Sequence, residues 1–237
     1  MPPLLVVQHT PGGGPGRFGD WLVSDGVPLR VVRAYDGAVV PRRPGPHSGV
    51  LVLGGGYLPD DDDRAPWLAA TRELVAEALR DGTPVFGVCL GGQLLARVAG
   101  GTVRAEHGTP ELGSTPLTVR AEADADPLFR GLPRRVTAVE RHVDAVTALP
   151  PGAVWLMESA DCPYQAFRVG AAAWGVQFHP EAGAARLRSW DPAELRRRGA
   201  DPDALVRAAE RDEPAASVVW RAVARRFAGL VRGGAGR

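Results

Sequence analysis

The sequence predicts a three-layer α/β protein built on an open, mostly parallel sheet with a small antiparallel portion. Three observations predict it. Short apolar runs, each stopping at glycines or polar residues, recur along the first third of the chain, as buried strands do where they meet ligand-facing loops. Stretches of helical spacing separate them, the alternation expected of helices covering both faces of a parallel sheet. A group of strand-like segments then follows in the middle, too closely spaced for helical crossovers and therefore partly antiparallel.

Residues 4–7 form the first strand, which runs into polar residues and glycines. Residues 18–24 start a helix, 29–32 make a second strand, and 49–53 a third that ends at Gly54-Gly55-Gly56. Helical spacing over 67–79 precedes a strand over 83–88 that runs directly into Cys89, followed by a helix over 90–98. In the middle, 115–119, 135–139, 154–157, 165–169 and 172–178 read as strands. Beyond Pro180 the pattern turns helical over 183–190, 192–198 and 203–231, and Asp212-Glu213-Pro214 is expected to break the last of these.

With 45% hydrophobic and 23% charged residues in 237, the chain can bury a core without a staple. A net charge of +1 excludes a strongly basic nucleic-acid-binding field. Local clusters such as Arg196-Arg197-Arg198 and Arg225-Arg226 lack interleaved aromatics and read as solvated helix faces. The start of the chain has no basic, long-apolar and cleavage-site succession, and no apolar run is long enough to span a bilayer, so a cytoplasmic protein without membrane contact is expected. Cys89 and Cys162 are not expected to pair, and Cys162, without a histidine or glycine elbow beside it, is read as structural.

The chemistry concentrates in two motifs. Gly87-Val88-Cys89-Leu90-Gly91-Gly92-Gln93 places a cysteine between a buried strand and the start of a helix, with glycines where side chains would collide in a sharp turn. Helix-start amides there favour a thiolate and can hold an anion. Far downstream, Gly175-Val176-Gln177-Phe178-His179-Pro180-Glu181 offers His179 as base and Glu181 as the carboxylate that orients it. Acyl transfer also needs oxyanion donors, which the Gly54-Gly55-Gly56 turn and the Leu90 amide supply. No lysine and hydroxyl follow those glycines, so a phosphate loop is disfavoured. Asp60-Asp61-Asp62-Asp63 reads mainly as a solvated acidic loop and secondarily as a recogniser of an amine-bearing substrate. Neither that run nor His9, His47 and His107 has metal-ligand spacing, and no metal or cofactor is expected.

On these two motifs residues 4–190 resemble the class I, triad-type glutamine amidotransferases, in a free-standing form similar to the glutaminase domain of GMP synthases. The resemblance implies a flavodoxin-like sheet, a domain over 1–190 and a helical extension over 191–237 packed on it. It implies that Cys89 attacks the side-chain carboxamide of L-glutamine, that His179 serves as base and acid, and that Glu181 orients it. Gly56 and Leu90 would donate to the oxyanion, with Gly55 and Gln93 contacting substrate. The stretch from Glu140 to Val146 resembles a family loop that usually reads Ser-His-Gly-Asp, so backbone groups of Arg141, His142 and Val143 are expected to grip the amino-acid end of glutamine. Val143 stands where that loop has glycine. No ATP-binding synthetase domain follows in this chain, so ammonia is expected to pass to a separate synthetase or other acceptor enzyme, and a homodimer is compatible with these features.

Two alternatives use the same residues. A hydrolase for another γ-glutamyl amide or peptide would keep the thiol, base and oxyanion donors and change only the leaving amine. A non-enzymatic regulatory subunit on the same fold is opposed by the presence of all three catalytic residue types.

Overall fold

The computed structural model describes residues 1–233. Its strands are β1 (Leu4–Gln8), β2 (Leu29–Arg33), β3 (Val50–Val52), β4 (Val85–Val88), β5 (Thr102–Arg104), β6 (Glu111–Val119), β7 (Arg135–His142), β8 (Ala145–Ala148), β9 (Val154–Glu158), β10 (Ala166–Val169) and β11 (Ala173–Val176). The helices are α1 (Gly16–Ser24), α2 (Trp67–Asp81), α3 (Leu90–Val98), α4 (Ala184–Leu187), α5 (Pro192–Arg197) and α6 (Pro202–Gly233).

The large sheet runs β2-β1-β3-β4-β11-β10-β9-β6-β7. The first five strands are mutually parallel, and β10, β9, β6 and β7 extend the sheet with antiparallel pairings. Side chains alternate between two apolar layers, as the period of two requires. In β1, Leu4 and Val6 join Phe18 and Leu22 of α1 and Trp220, Val223 and Phe227 of α6, whereas Leu5 and Val7 join Leu68 and Leu74 of α2 and Leu90 and Leu94 of α3. Both faces of the parallel half are thus covered, which is why its strands read as continuous apolar runs.

Three features differ from the sequence expectation. The helix expected to break at Pro214 is continuous from Pro202 to Gly233. Proline removes one backbone bond there, at a cost of about 3 kcal/mol. Neighbouring contacts offset it: Ser114 donates to Asp212 at 2.8 Å, Arg17 and the Ala184 amide donate to Glu213 at 3.1 Å, and Trp220 and Phe227 are fully buried. Full burial of each large apolar side chain contributes roughly 1.5–3 kcal/mol. Second, β5 and β8 pair as a separate two-stranded antiparallel sheet. Third, residues 140–142, expected as part of a loop, are the end of β7, where Glu111 of β6 is paired in register with His142.

Candidate active site

The parallel strands all end on one side, and the motif residues emerge there: Gly54-Gly55-Gly56 beyond β3, Cys89 after β4 and His179 beyond β11. Ligand sites of open α/β sheets form at this carboxyl edge.

Cys89 occupies an elbow with φ 50° and ψ −110°. Its amide donates to the Val176 carbonyl at 2.7 Å, and its carbonyl accepts from the Gln93 amide at 2.9 Å. The surrounding glycines are steric requirements. A Cβ on Gly91 would lie 2.0 Å from the Val52 carbonyl oxygen, and one on Gly87 2.4 Å from that of Gly91. A Cβ on Gly54 would sit 3.0 Å from the His179 ring and 3.4 Å from Cys89 Cβ, so this glycine forms the wall against the thiol and imidazole.

His179 is fixed from both sides. Its backbone amide donates to Val139 at 2.8 Å, and its Nδ1 lies 2.6 Å from Glu181 Oε1. The carboxylate can only accept, so Nδ1 carries the proton and Nε2 is left for the sulfur. Burial alone would depress the imidazolium; the Glu181 charge and the hydrogen bonds to Cys89 and Glu181 outweigh it and hold His179 well above its ordinary value. The start of α1 clamps the carboxylate segment, with Arg17 Nε donating to Pro180 O at 3.0 Å and the Arg17 amide to Glu181 O at 3.2 Å. Gly16 is required at this approach, because a Cβ there would lie 2.3 Å from Glu181 O.

Gln177, two residues before the histidine, donates its side-chain N–H to Cys89 Sγ at 3.6 Å. Gln93 sets its orientation by donating to Gln177 Oε1 and to the Asp144 carbonyl, each at 3.1 Å. Sequence reasoning assigned Gln93 to substrate; here it is buried and braces Gln177 instead of lining the cavity. Sequence reasoning leaves Gln177 without a role in the histidine motif; its place two residues before His179, on the same face of the extended chain, is the signal that points to it.

A cavity of about 820 Å³ opens over the thiol. Gly54, Gly55 and Gly56 line it beside Cys89, His179 and Glu181. Arg141, His142 and Val143 form another wall, and residues around Arg186 and Trp190 an outer one. The Leu90 side chain is buried away from this space, while its amide begins α3 beside Cys89. Arg141 pairs with Glu194 at 2.9 Å and lies 5.1 Å from the Trp190 ring centroid.

His142 leads into a buried polar group, with its Nε2 2.8 Å from Glu111 Oε2, which also accepts from Gln165 at 2.6 Å. Donor atoms of Glu111, His142 and Cys162 lie within 4.8 Å of one another. Burial pushes the Cys162 thiol up to about 12, aided by the Glu111 and Glu140 charges, so this cysteine is inert beside Cys89. Glu140 is fully buried, and among the described residues neither carboxylate oxygen has a hydrogen-bond partner, His142 Nε2 lying 3.7 Å from Oε2; burial, then the Glu111 charge, holds it well above the usual carboxylate range. The aspartate run stands outside the cavity lining. Asp60 pairs with Arg97 at 2.7 Å, Asp61 with Arg64 at 3.0 Å and Asp62 with Arg72 at 2.6 Å, which favours the acidic-loop reading over amine recognition.

An open α/β sheet that presents an elbow cysteine to a histidine–glutamate pair at its carboxyl edge defines the class, that of the Cys-His-Glu proteins of three-layer architecture. The family model of glutamine amidotransferase class-I matches residues 22–190, and the chain belongs to that family. Among curated proteins, the glutamine-hydrolysing GMP synthase subunit of Thermococcus kodakarensis is 41% identical over 99 residues, covering 41% of this chain and 50% of that relative. The chain thus spans about half the length of this relative. A glutamine amidotransferase structure from Thermotoga maritima matches with a TM-score of 0.86 and 27% identity, covering 96% of this chain and 98% of its own. Another from Methylobacillus flagellatus gives a TM-score of 0.83 and 27% identity over 99% and 95% of the two chains. Among the described residues, no helix is long and apolar enough to cross a membrane.

Proposed function

We propose that this protein hydrolyses the side-chain amide of L-glutamine through a Cys89 glutamyl thioester and passes the ammonia to a separate synthetase. The observation that carries the reading is the elbow sulfur facing the Glu181-braced His179 within one cavity walled by Gly54. His179 takes the thiol proton, and the sulfur adds to the amide carbon. The Gly56 and Leu90 amides stabilise the oxyanion, in a step where loss of one such donor typically costs ~2.7–4 kcal/mol. Collapse of the adduct breaks the C–N bond, and His179 returns its proton to the departing nitrogen as ammonia leaves. Glu181 stabilises the imidazolium between these steps, in keeping with the raised His179 value. Water, deprotonated by His179, then cleaves the thioester to glutamate. Gly55 and the Arg141–Val143 segment hold the amino-acid end. The glutamine-hydrolysing relative from Thermococcus kodakarensis supports both the substrate and a synthetase partner.

The test is hydrolysis of free L-glutamine, with glutamate and ammonia measured separately, by the native chain and by Cys89→Ala. Equal release of both products that disappears in the variant is expected; hydrolysis that persists without the thiol would overturn the reading. The cavity favours a second substrate class, since about 820 Å³ lies toward the upper end of the ~300–1,000 Å³ typical of pockets for drug-sized ligands. A γ-glutamyl amide with a larger leaving amine would use the same thiol, base and oxyanion donors.

A further inference from the structure

The outer wall of the cavity is basic. It carries Arg141, Arg186 and Arg198 against a single acid, Glu194. That carboxylate is shared between Arg141 at 2.9 Å and Arg198 at 3.3 Å, so it compensates one guanidinium charge out of two. Arg186 has no ion-pair partner among the described residues, and its guanidinium reaches the opposite rim: a Cβ on Gly12 would lie 3.1 Å from Arg186 Nη2. The acid deeper in the cavity, Glu181, is engaged with His179. The indole of Trp190, 5% exposed, floors this region beneath Arg141.

A volume larger than one amino acid needs therefore continues from the thiol into a zone of uncompensated positive charge. Arginine forks suit planar oxyanions, and their bonds to carboxylate or phosphate are charge-assisted. We propose that Arg186 and Arg198, beside Trp190, form a subsite for an anionic group on the amine half of an extended γ-glutamyl amide, such as a γ-glutamyl amino acid. This rests on the reading that Cys89 cleaves γ-glutamyl amides, and it specifies the class of leaving group. Attack on such a substrate would break the same C–N bond, with His179 protonating an amino-acid nitrogen in place of ammonia.

The discriminating pair is γ-glutamylglycine and its neutral analogue γ-glutamylglycinamide, which differ only in the terminal carboxylate. Calorimetric binding to Cys89→Ala measures the subsite without requiring turnover, and kcat/KM on the native chain measures its use. Hydrogen bonds to charged groups are worth about 1.5–3 kcal/mol, so the anionic amide should bind about tenfold or more tightly than the neutral one. That ratio should fall to about one when Arg186→Gln and Arg198→Gln are added. Equal binding of the pair, a preference that survives the arginine substitutions, or exclusion of both amides by a chain that binds glutamine would overturn the proposal. A role for Arg186 on the α-carboxylate common to all these ligands would weaken each equally and leave the ratio intact, which also overturns it. Glutamine hydrolysis with a ratio of one would defeat this inference alone; a strong anionic preference without glutamine hydrolysis would defeat the glutamine reading alone.

Discussion

Replacing Gln177 with leucine should slow the chemistry of Cys89 without unfolding the protein. In the native arrangement the amide of Gln177 donates to the sulfur at 3.6 Å, in a setting where the residue is only 3% exposed. Gln93 fixes which end of that amide faces the sulfur, because its own N–H groups demand the oxygen of Gln177. Once His179 has taken the thiol proton, loss of a hydrogen bond to the attacking sulfur anion costs about 1.5–3 kcal/mol, which corresponds to roughly 10- to 150-fold. The substitution strands one of the two Gln93 N–H groups, at about 1–3 kcal/mol, while the other retains the Asp144 carbonyl at 3.1 Å. The melting temperature should therefore fall by a few degrees with the fold retained, while alkylation of Cys89 by iodoacetamide, followed by mass spectrometry, and kcat/KM for amide hydrolysis should both fall by at least about tenfold. Gln93→Leu should reproduce part of the loss, because it frees Gln177 to turn. If Gln177→Leu stays folded at the assay temperature and alkylates within about twofold of the native rate, the N–H does not support the sulfur and the reasoning fails.

Glu181→Gln removes the main influence that raises His179 and leaves burial to dominate, so the ring should titrate well below its native value, as read by NMR. A histidine raised in the fold adds stability that is present below its ordinary value of 6.5 and disappears as pH rises through the folded value. The native chain's advantage over this variant should accordingly be greatest at acid pH; a gap that widens with pH contradicts it. Glu140 has the opposite consequence, since a raised carboxyl holds its proton more tightly when folded and loses stability as pH climbs from 4.5 toward the folded value. Melting curves should show Glu140→Gln gaining on the native chain across that window, and a constant difference would count against a buried acid form. Pro214→Ala should stabilise by about 1–3 kcal/mol, several degrees in the melting temperature, because it restores a helical N–H; no gain would show that the surrounding contacts require proline.

The local parts of the site were legible because their geometry is written in neighbouring residues. Cys89 needs glycines at fixed offsets, and the Val52 and Gly91 carbonyls press into the spaces those glycines leave. His179 and Glu181 flank one proline, and this spacing brings them to 2.6 Å. The parallel strands were legible for a related reason, since burial on both faces leaves a continuous apolar run. What escaped depends on register or distant contacts. Glu111, Glu140 and His142 form one polar group because β6 and β7 pair in a particular alignment, which no spacing reveals. Gln177 reads as one more strand residue until Gln93 turns its amide toward the sulfur. Pro214 is a helix breaker by local rules, overridden by Arg17 and Ser114 from elsewhere in the chain.

The backbone at Cys89 places the aims of folding and of function in opposition. Its φ of 50° and ψ of −110° mirror a conformation natural to extended chains and are freely open only to glycine. A cysteine held there stores about 1–3 kcal/mol. Cys89→Gly should consequently melt higher than the native protein while losing its nucleophile, and a lower melting point would mean that the elbow is relaxed. Selection for thermal stability alone would then drift this position toward glycine and silence it, so the cysteine records a demand that folding did not make.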